Sequence, residues 1–226
     1  MNNLFCTDSA DVHQRLLQEG FVLLPRQFYA REDVVQIAQE LIGKYVFTAI
    51  DGELTGGRIV ETEAYCGESD KACHAYRGLT KRTAVMFGEP GHAYVYLCYG
   101  IHQMFNIVTN QEGKADAVLI RAIEPQWGIE TMKKRRSFPK KIYSLTSGPG
   151  SVAQALGIHF RQHHGEDLLQ KTIWLMQKTN ESPISATDLI ATTRIGVSYA
   201  EESAALPWRF CLKGNPYVSR YPMKKV

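Results

Sequence analysis

The stretch KYVFTAIDGELTGGRIVETEAY, residues 44–65, decides the fold of this 226-residue chain. Both of its halves are rich in β-branched and aromatic residues, which are typical of strands. Between them lies Asp51-Gly52, a dipeptide that favours the tight turn of a β-hairpin. The stretch therefore predicts two antiparallel strands, over residues 44–50 and 54–65.

Apolar patterns elsewhere in the chain predict the remaining elements. Further strands are predicted over residues 93–99, 104–109, 117–123 (ended by Pro125), 193–198 and 208–212. Helices are predicted over residues 32–42, about 126–136, and from Gly148-Pro149 to Gly157. Residues 158–187 are polar and give no clear prediction. Strands that adjoin in hairpins, with helices inserted between them, indicate an α+β fold, a single mixed domain with a curved, largely antiparallel β-sheet and surrounding helices.

The composition is that of a globular protein without a membrane span. Hydrophobic residues make up 44% of the chain and charged residues 22%, and the apolar runs are too short to cross a bilayer. The first 18 residues lack the apolar segment of a secretory signal, so we expect an intracellular protein. We further expect residues 1–20 to form a loosely attached extension to one domain, residues 21–226.

The cysteines and the basic residues allow two interpretations each. Cys66 and Cys73-His74 could suggest a zinc site, but their spacing is unlike that of tetrahedral zinc ligands, so we expect free thiols and no metal. The net charge of +3 is mildly basic and only weakly indicates a polyanionic partner. The basic run of residues 133–136, followed by Lys140-Lys141, is either a solvated surface or a phosphate-facing patch.

Two carboxylates stand out in the second strand of the hairpin. Glu61, Glu63 and Tyr65 share one face of a strand, and strand rise places the two carboxylates about 7 Å apart. Acidic residues are depleted in strands, so the pair calls for an explanation. The face is either exposed to solvent or carries chemistry, and a carboxylate pair could also serve a sugar hydrolase.

A tyrosine-rich segment follows at residues 92–106. Tyr94 and Tyr96 share one strand face, whereas Tyr99 precedes Gly100 at a predicted turn. These rings either pack in a half-buried sheet or form a stacking pocket, with an exposed aromatic that could enter a base stack as a wedge. Asn106 lies in an apolar run, where it would serve as a structural bridge or read the edge of a ligand.

Several segments, in order along the chain, resemble the 3-methyladenine DNA glycosylases of the alkyladenine (methylpurine) type. The matching segments are residues 58–65, 70–74, 86–87, 94–100, 106, 119–125, 148–149 and 194–197. The resemblance implies a fold distinct from the helix-hairpin-helix glycosylases. It also implies a base-excision-repair enzyme that flips damaged purines out of double-stranded DNA and hydrolyses the N-glycosidic bond, leaving an abasic site. Its implied substrates are 3-methyladenine and 7-methylguanine, with hypoxanthine and ethenoadenine as further candidates.

The resemblance implies catalytic roles for three positions. Glu63 is similar to the general base that activates water, and Arg121 and the carbonyl of Ile195 are similar to the groups that hold this water. A fixed carboxylate near C1′ suits the oxocarbenium character that develops on the sugar. The resemblance places no lysine for a Schiff base, so we predict base release without strand cleavage, and it requires no cofactor.

The resemblance also implies the substrate contacts. Tyr65, His74 and Tyr96 are similar to the walls of the base pocket, and Asn106 is similar to the residue that selects the purine.

A second group of positions is implied to contact DNA. Tyr99 is similar to the intercalating wedge, and the other implied contacts are Ile101, His102 and Arg82. We expect a monomer, the default for an enzyme that scans duplex DNA. The chain departs from the family at Thr83, where Asn is frequent, and at Ser151, where a phosphate-contacting Lys is frequent.

Two other functions remain as alternatives. The first is a catalytically silent lesion-binding protein of the same fold, which would bind damaged DNA without releasing a base. The second is a carbohydrate hydrolase that uses Glu61 and Glu63.

Overall fold

The computed structural model describes residues 8–219 of the chain. The strands of this part are β1 (Phe21–Leu23), β2 (Tyr45–Ile50), β3 (Glu53–Tyr65), β4 (Ala93–Cys98), β5 (His102–Thr109), β6 (Asp116–Trp127), β7 (Ile173–Lys178), β8 (Leu189–Thr192) and β9 (Arg209–Leu212). Its α-helices are α1 (Ser9–Gln18), α2 (Arg26–Tyr29), α3 (Val34–Leu41), α4 (Ile129–Arg135), α5 (Pro149–Leu156) and α6 (Phe160–His163). Among these described residues, no helix has the length and apolar character that a membrane crossing requires.

All the strands join one antiparallel sheet whose centre is the predicted hairpin. The order is β1-β7-β2-β3-β6-β5-β4, and β9 pairs with both β3 and β8. β2 and β3 pair across the Asp51-Gly52 turn, with Tyr45 opposite Arg58. Register shifts in the β3–β6 pairing, near Gly57 and Glu61, mark bulges that bend a sheet. The sheet is curved, and the predicted α+β class with a largely antiparallel sheet is confirmed.

The largest apolar core lies between the sheet and helices α3 and α5. Helix α3 begins after Asp33, whose carboxylate accepts a hydrogen bond from the Gln36 N–H and so caps the helix. Ile37 of α3 and Val152 of α5 are fully buried in the same cluster as Ile120 of β6. The helices thereby support β6, which is one wall of the site described below.

A second apolar cluster attaches helix α1 to the sheet. Val12 and Leu16 of α1 are buried against Phe47 of β2 and Trp174 of β7. The described part of the first twenty residues therefore packs on the sheet.

The proposed division of the chain stays a prediction. Its two parts, an extension of residues 1–20 and a domain of residues 21–226, each include residues outside the described part, namely 1–7 and 220–226.

The predicted strand over residues 193–198 and the predicted boundary between the strand ending at Pro125 and the next helix are wrong. The predicted strand over residues 193–198 is a loop, and β8 ends one residue earlier at Thr192. β6 continues through Pro125 to Trp127, because a register shift there lets a residue without an N–H fit the strand. Helix α4 consequently begins at Ile129, three residues later than predicted.

The segment that gave no prediction contains a strand near the centre of the sheet. β7 pairs with β1 on one side and β2 on the other. Its first four residues, 173–176, are buried, while Gln177 and Lys178 at its end are exposed.

The basic run is largely tied to the protein itself. Arg135 donates to the carbonyl oxygens of Ile50 and Ala155 at 2.9 and 3.3 Å. Arg136 donates to the carbonyl oxygen of Leu145 at 3.2 Å. Burial lowers the pKa of both arginines. These two side chains therefore hold α4 in place, which leaves only the lysines of the run as candidates for a phosphate-facing patch.

We expect Gly57→Ala to destabilise the fold by about 1–3 kcal/mol, the usual cost of overpacking. A Cβ at this position would lie 2.3 Å from the Glu124 carbonyl oxygen of the neighbouring strand. Urea unfolding measures the effect as a lower midpoint at constant slope. Gly88→Ala is the control, because its Cβ would be 3.4 Å from the nearest atom, the Val85 carbonyl oxygen, and we expect a change within about 0.5 kcal/mol. Equal losses in the two variants would contradict the β3–β6 packing.

Candidate active site

Two glutamates of β3 are completely buried and share one arginine. Glu61 and Glu63 each have 0% relative exposure. Arg121 of β6 donates through Nε to Glu61 Oε1 at 2.8 Å, and its Nη1 lies 3.2 Å from Glu63 Oε1. Burial alone would lower the pKa of Arg121, but the two carboxylates outweigh burial and raise it above its usual value. The arginine is therefore a fixed cation between two acids.

The described hydrogen-bond partners of Glu61 all belong to neighbouring parts of the framework. Besides Arg121, Glu61 Oε1 accepts from Arg209 Nε of β9 at 2.7 Å and from Ser219 Oγ at 2.9 Å. Glu61 Oε2 accepts from the Ser219 N–H at 2.7 Å. This carboxylate joins β3, β6, β9 and the segment after β9, which is a structural role.

Glu63 is held differently and faces a cavity. Its Oε1 accepts from the backbone N–H of Ile195 at 2.8 Å, and its Oε2 accepts from the Tyr65 hydroxyl at 2.7 Å. Burial and the Glu63 carboxylate raise the pKa of Tyr65, so this phenol stays protonated and donates. Three protein groups thus fix the orientation of the Glu63 carboxylate at the cavity wall.

The loop that carries Ile195 is anchored by a buried ion pair. Arg194 donates to both carboxylate oxygens of Asp70, at 2.5 and 2.8 Å, and to the carbonyl oxygen of Ala64 at 2.8 Å. Its guanidinium also lies 4.8 Å from the centre of the Tyr65 ring. Because Arg194 precedes Ile195, this pair sets the position of the amide that binds Glu63. The predicted water-holding role of the Ile195 carbonyl stays a prediction.

The cavity has a volume of about 730 Å³ and is lined by aromatic and polar side chains. All four residues predicted to bind substrate line it, as do Arg121 and Ile195. The site residues along its wall are Glu63, Tyr65, His74, Arg82, Tyr94, Tyr96, Tyr99, Asn106, Arg121 and Ile195. Ile101 and His102, predicted to contact DNA, lie outside this wall, Ile101 on the turn beside it and His102 at the start of β5.

Asn106 is buried in β5 at the floor of the cavity. It is 4% exposed, and its Nδ2 donates to the carbonyl oxygen of Tyr94 on β4 at 3.1 Å. The amide is therefore fixed by the β4–β5 pair, while Asn106 also lines the cavity. Of the two roles that its sequence position left open, the hydrogen bond to β4 is the structural one, and the reading of a ligand edge stays a prediction.

His74 is held as a neutral ring between two neighbours. Its Nε2 lies 3.2 Å from Arg82 Nη2, and its Nδ1 lies 3.0 Å from the Tyr94 hydroxyl. A guanidinium can only donate, so Nε2 accepts and the proton is on Nδ1. Burial, followed by the Arg82 cation, lowers the pKa of His74 to about 4.

The predicted wedge stands on a tight turn beside the cavity. Tyr99 and Gly100 connect β4 and β5 with φ values of +51° and +72°. Tyr99 is 92% exposed and Ile101 is 72% exposed. The left-handed conformation favours Gly and Asn, so an exposed tyrosine there costs free energy without packing against the protein.

The expectation of free thiols agrees with the described residues, whereas Cys6 lies outside them. Cys66, Cys73, Cys98 and Cys211 are unpaired, and no cluster that could hold a metal occurs within residues 8–219. Burial raises the pKa of the Cys73 thiol to about 12.

Of the two departures from the family, Thr83 is a local structural residue. It is 2% exposed, and its hydroxyl donates to the carbonyl oxygen of Gly78 at 3.1 Å. Ser151 lies in the first turn of α5.

The sequence alone assigned no role to four residues that fix the loop of Ile195 and the Glu61 carboxylate. Asp70 and Arg194 were part of matching segments, but their pairing crosses 124 residues and has no local signal. Arg209 and Ser219 were not singled out. The one available signal was Arg209 itself, an arginine in an apolar strand, because a buried arginine must be paired.

The chain belongs to the methylpurine-DNA glycosylase family, whose sequence model matches residues 27–216. It is therefore a member of a DNA glycosylase family. A protein of Carboxydothermus hydrogenoformans named "Putative 3-methyladenine DNA glycosylase" is 49% identical over 199 residues, which are 88% of this chain and 100% of that one. Proteins of the same name from Chlorobaculum tepidum and Methanocella arvoryzae are 47% and 44% identical, over 87% and 88% of this chain and 90% and 96% of theirs. The resemblance predicted from the sequence is confirmed.

We expect His74 to make stability depend on pH between about 6.5 and 4. In this range the unfolded chain binds a proton at His74 and the folded chain does not, so stability falls as the pH falls. Urea unfolding at several pH values measures the loss, and NMR of the ring protons measures the pKa directly. In His74→Gln the slope over this range should be smaller. A His74 pKa near 6.5 would contradict the half-buried, neutral ring.

Proposed function

We propose that this protein is a monofunctional DNA glycosylase that removes alkylated or deaminated purines from double-stranded DNA and leaves an abasic site. The observation that carries the proposal is the Glu63 carboxylate, fully buried and oriented by Arg121, Tyr65 and the Ile195 N–H at the wall of an aromatic cavity. We further propose that the protein acts as a monomer inside the cell and needs no cofactor.

The chemistry follows from this carboxylate. As the bond between C1′ and the purine nitrogen breaks, its electron pair goes to the purine and positive charge develops on the sugar. Glu63 stabilises this charge and takes the proton of the water that adds to C1′. No lysine occurs among the described residues that line the cavity, which supports hydrolysis without a Schiff base and without strand cleavage.

The aromatic walls suit a damaged purine. An alkylated purine is cationic, and contact with the faces of Tyr65 and Tyr96 contributes about 0.5–2 kcal/mol. We propose that the base stacks on these rings and on His74, and that Asn106 contacts its minor-groove edge and selects against normal purines. 3-Methyladenine and 7-methylguanine are the proposed substrates, with hypoxanthine and ethenoadenine as neutral candidates.

Base flipping requires a group that fills the vacated stack. We propose that Tyr99 is this wedge and that Ile101 and His102 lie beside it in the minor groove. An aromatic ring that is 92% exposed in a conformation unfavourable for it supports this role.

The two alternative functions fit the site less well. A sugar hydrolase needs a second free carboxyl group, but both oxygens of Glu61 accept hydrogen bonds from buried protein groups. A silent binder would not need Glu63, yet its carboxylate is held by three groups at the cavity wall.

We expect Glu63→Gln to bind a lesion duplex as wild type does and to lose excision by about 10²–10⁴-fold, because the amide cannot accept the proton. Single-turnover release of hypoxanthine or ethenoadenine, detected by alkali cleavage, is the measurement. Glu40→Gln is the control, since it also removes a paired carboxylate but one outside the cavity, next to Arg31. Excision at the wild-type rate in Glu63→Gln would remove Glu63 from the mechanism.

We expect Tyr99→Asn to move stability and DNA binding in opposite directions. Asparagine suits the left-handed turn, so unfolding should require about 1 kcal/mol more. Loss of the stacking ring should weaken binding to a stable abasic analogue about tenfold. Phe138→Asn, which changes another exposed ring with a φ of +52°, should leave DNA binding unchanged. Equal abasic-site binding by Tyr99→Asn and wild type would exclude the wedge.

A further inference from the structure

Two tyrosines of the cavity wall, Tyr65 and Tyr96, each have an arginine beside the ring, and the two arginines differ in charge balance. The guanidinium of Arg194 lies 4.8 Å from the centre of the Tyr65 ring, and that of Arg82 lies 5.0 Å from the centre of the Tyr96 ring. The charge of Arg194 is balanced by the Asp70 carboxylate. For Arg82, no carboxylate partner occurs within residues 8–219. Only the second ring therefore lies beside an uncompensated positive charge.

Arg82 is a surface residue whose guanidinium lies at the cavity. Arg82 is exposed as a residue, yet it lines the cavity and donates to Nε2 of His74 at 3.2 Å. It therefore contacts His74 and Tyr96, two of the three rings on which a flipped base would stack. The ring of His74 meets that of Tyr96 edge-on, with centroids 4.6 Å apart, so one cation acts on both rings.

We propose that Arg82 is a specificity-determining residue that favours neutral damaged purines over cationic ones. This inference rests on the proposed glycosylase function and names the substrate class that its pocket prefers. A cationic purine gains from the faces of Tyr65 and Tyr96, but the charge of Arg82, 5.0 Å from the centre of the Tyr96 ring, offsets part of this gain. The like charge of Arg82 also repels a cationic base and has no effect of this kind on a neutral base.

The resemblance instead implies that Arg82 contacts DNA, and the two roles have different consequences. A phosphate contact would strengthen binding of all lesions alike and would add to the salt dependence of binding. A charge at the pocket changes the ratio of the Kd for a cationic lesion to the Kd for a neutral lesion. The ratio is therefore the quantity to measure.

The test compares Arg82→Gln and Arg82→Lys, each in the Glu63→Gln protein so that no base is released during binding. Glutamine keeps an N–H for Nε2 of His74 and loses the charge, whereas lysine keeps the charge. Two duplexes of one sequence carry either 7-methylguanine, which is cationic, or hypoxanthine, which is neutral. Fluorescence anisotropy gives the Kd of each variant for both duplexes.

We expect Arg82→Gln to shift the ratio of the two Kd values about tenfold towards 7-methylguanine, and Arg82→Lys to shift it less than about threefold. An unchanged ratio in Arg82→Gln would overturn the proposal. So would equal weakening of both duplexes with a shallower salt dependence, which is the result for a phosphate contact.

A parallel excision assay with the otherwise wild-type protein keeps the two proposals separate. Base release combined with an unchanged Kd ratio would reject only the role of Arg82. A shifted ratio without any base release would support Arg82 as the selective residue of a lesion-binding pocket and reject the glycosylase activity.

Discussion

The buried carboxylates of β3 are the constraint on which the rest of this structure depends. Moving an ion out of water costs several kcal/mol, and Glu61 and Glu63 are both completely buried. Arg121 offsets part of this cost for both acids at once. Arg121 belongs to β6 and the two acids belong to β3. The pairing of these two strands, the longest in the sheet, therefore also brings the cation to the two carboxylates. Removal of that arginine would take away the ion-pair partner of Glu63, whereas Glu61 would keep its ion pair with Arg209.

Different neighbours give the two acids different roles. Glu61 is bound by Arg121, Arg209 and Ser219, which all belong to the framework. Glu63 is bound by Arg121, the Ile195 N–H and the Tyr65 hydroxyl, and it lines the cavity. A curved sheet makes this division possible, since a bulge at Glu61 changes the direction of the strand between the two acids.

Local signals in the sequence predicted most of the sheet. The hairpin around Asp51-Gly52, the β4–β5 pair and the exposed turn at Tyr99 follow from strand propensity and turn residues that are neighbours in the chain. The sequence did not show that Glu61 and Glu63 are both buried, because a Glu-x-Glu pattern alone also fits a strand face that is exposed to solvent. The resemblance to a family then indicated the residues of the cavity wall.

What the sequence could not predict depends on distant contacts. β7 has only four buried residues in a polar segment, and its partners in β2 lie more than 120 residues earlier. The loop at residues 193–198 has the apolar pattern of a strand, but Arg194 is held by Asp70 across 124 residues. Arg82 was expected at DNA on the basis of resemblance, and only three-dimensional proximity places it beside Tyr96.

The order in which the ribosome makes these residues has a consequence for folding. Glu61 is synthesised 148 residues before Arg209 and 158 residues before Ser219. A nascent chain that contains β2, β3 and β6 can form their pairs, but Glu61 then lacks two of its three donor residues, Arg209 and Ser219. Contacts of such high separation form late. The carboxylate of Glu61 should therefore become fully held only after the segment with Arg209 and Ser219 has been made and β9 has paired with β3.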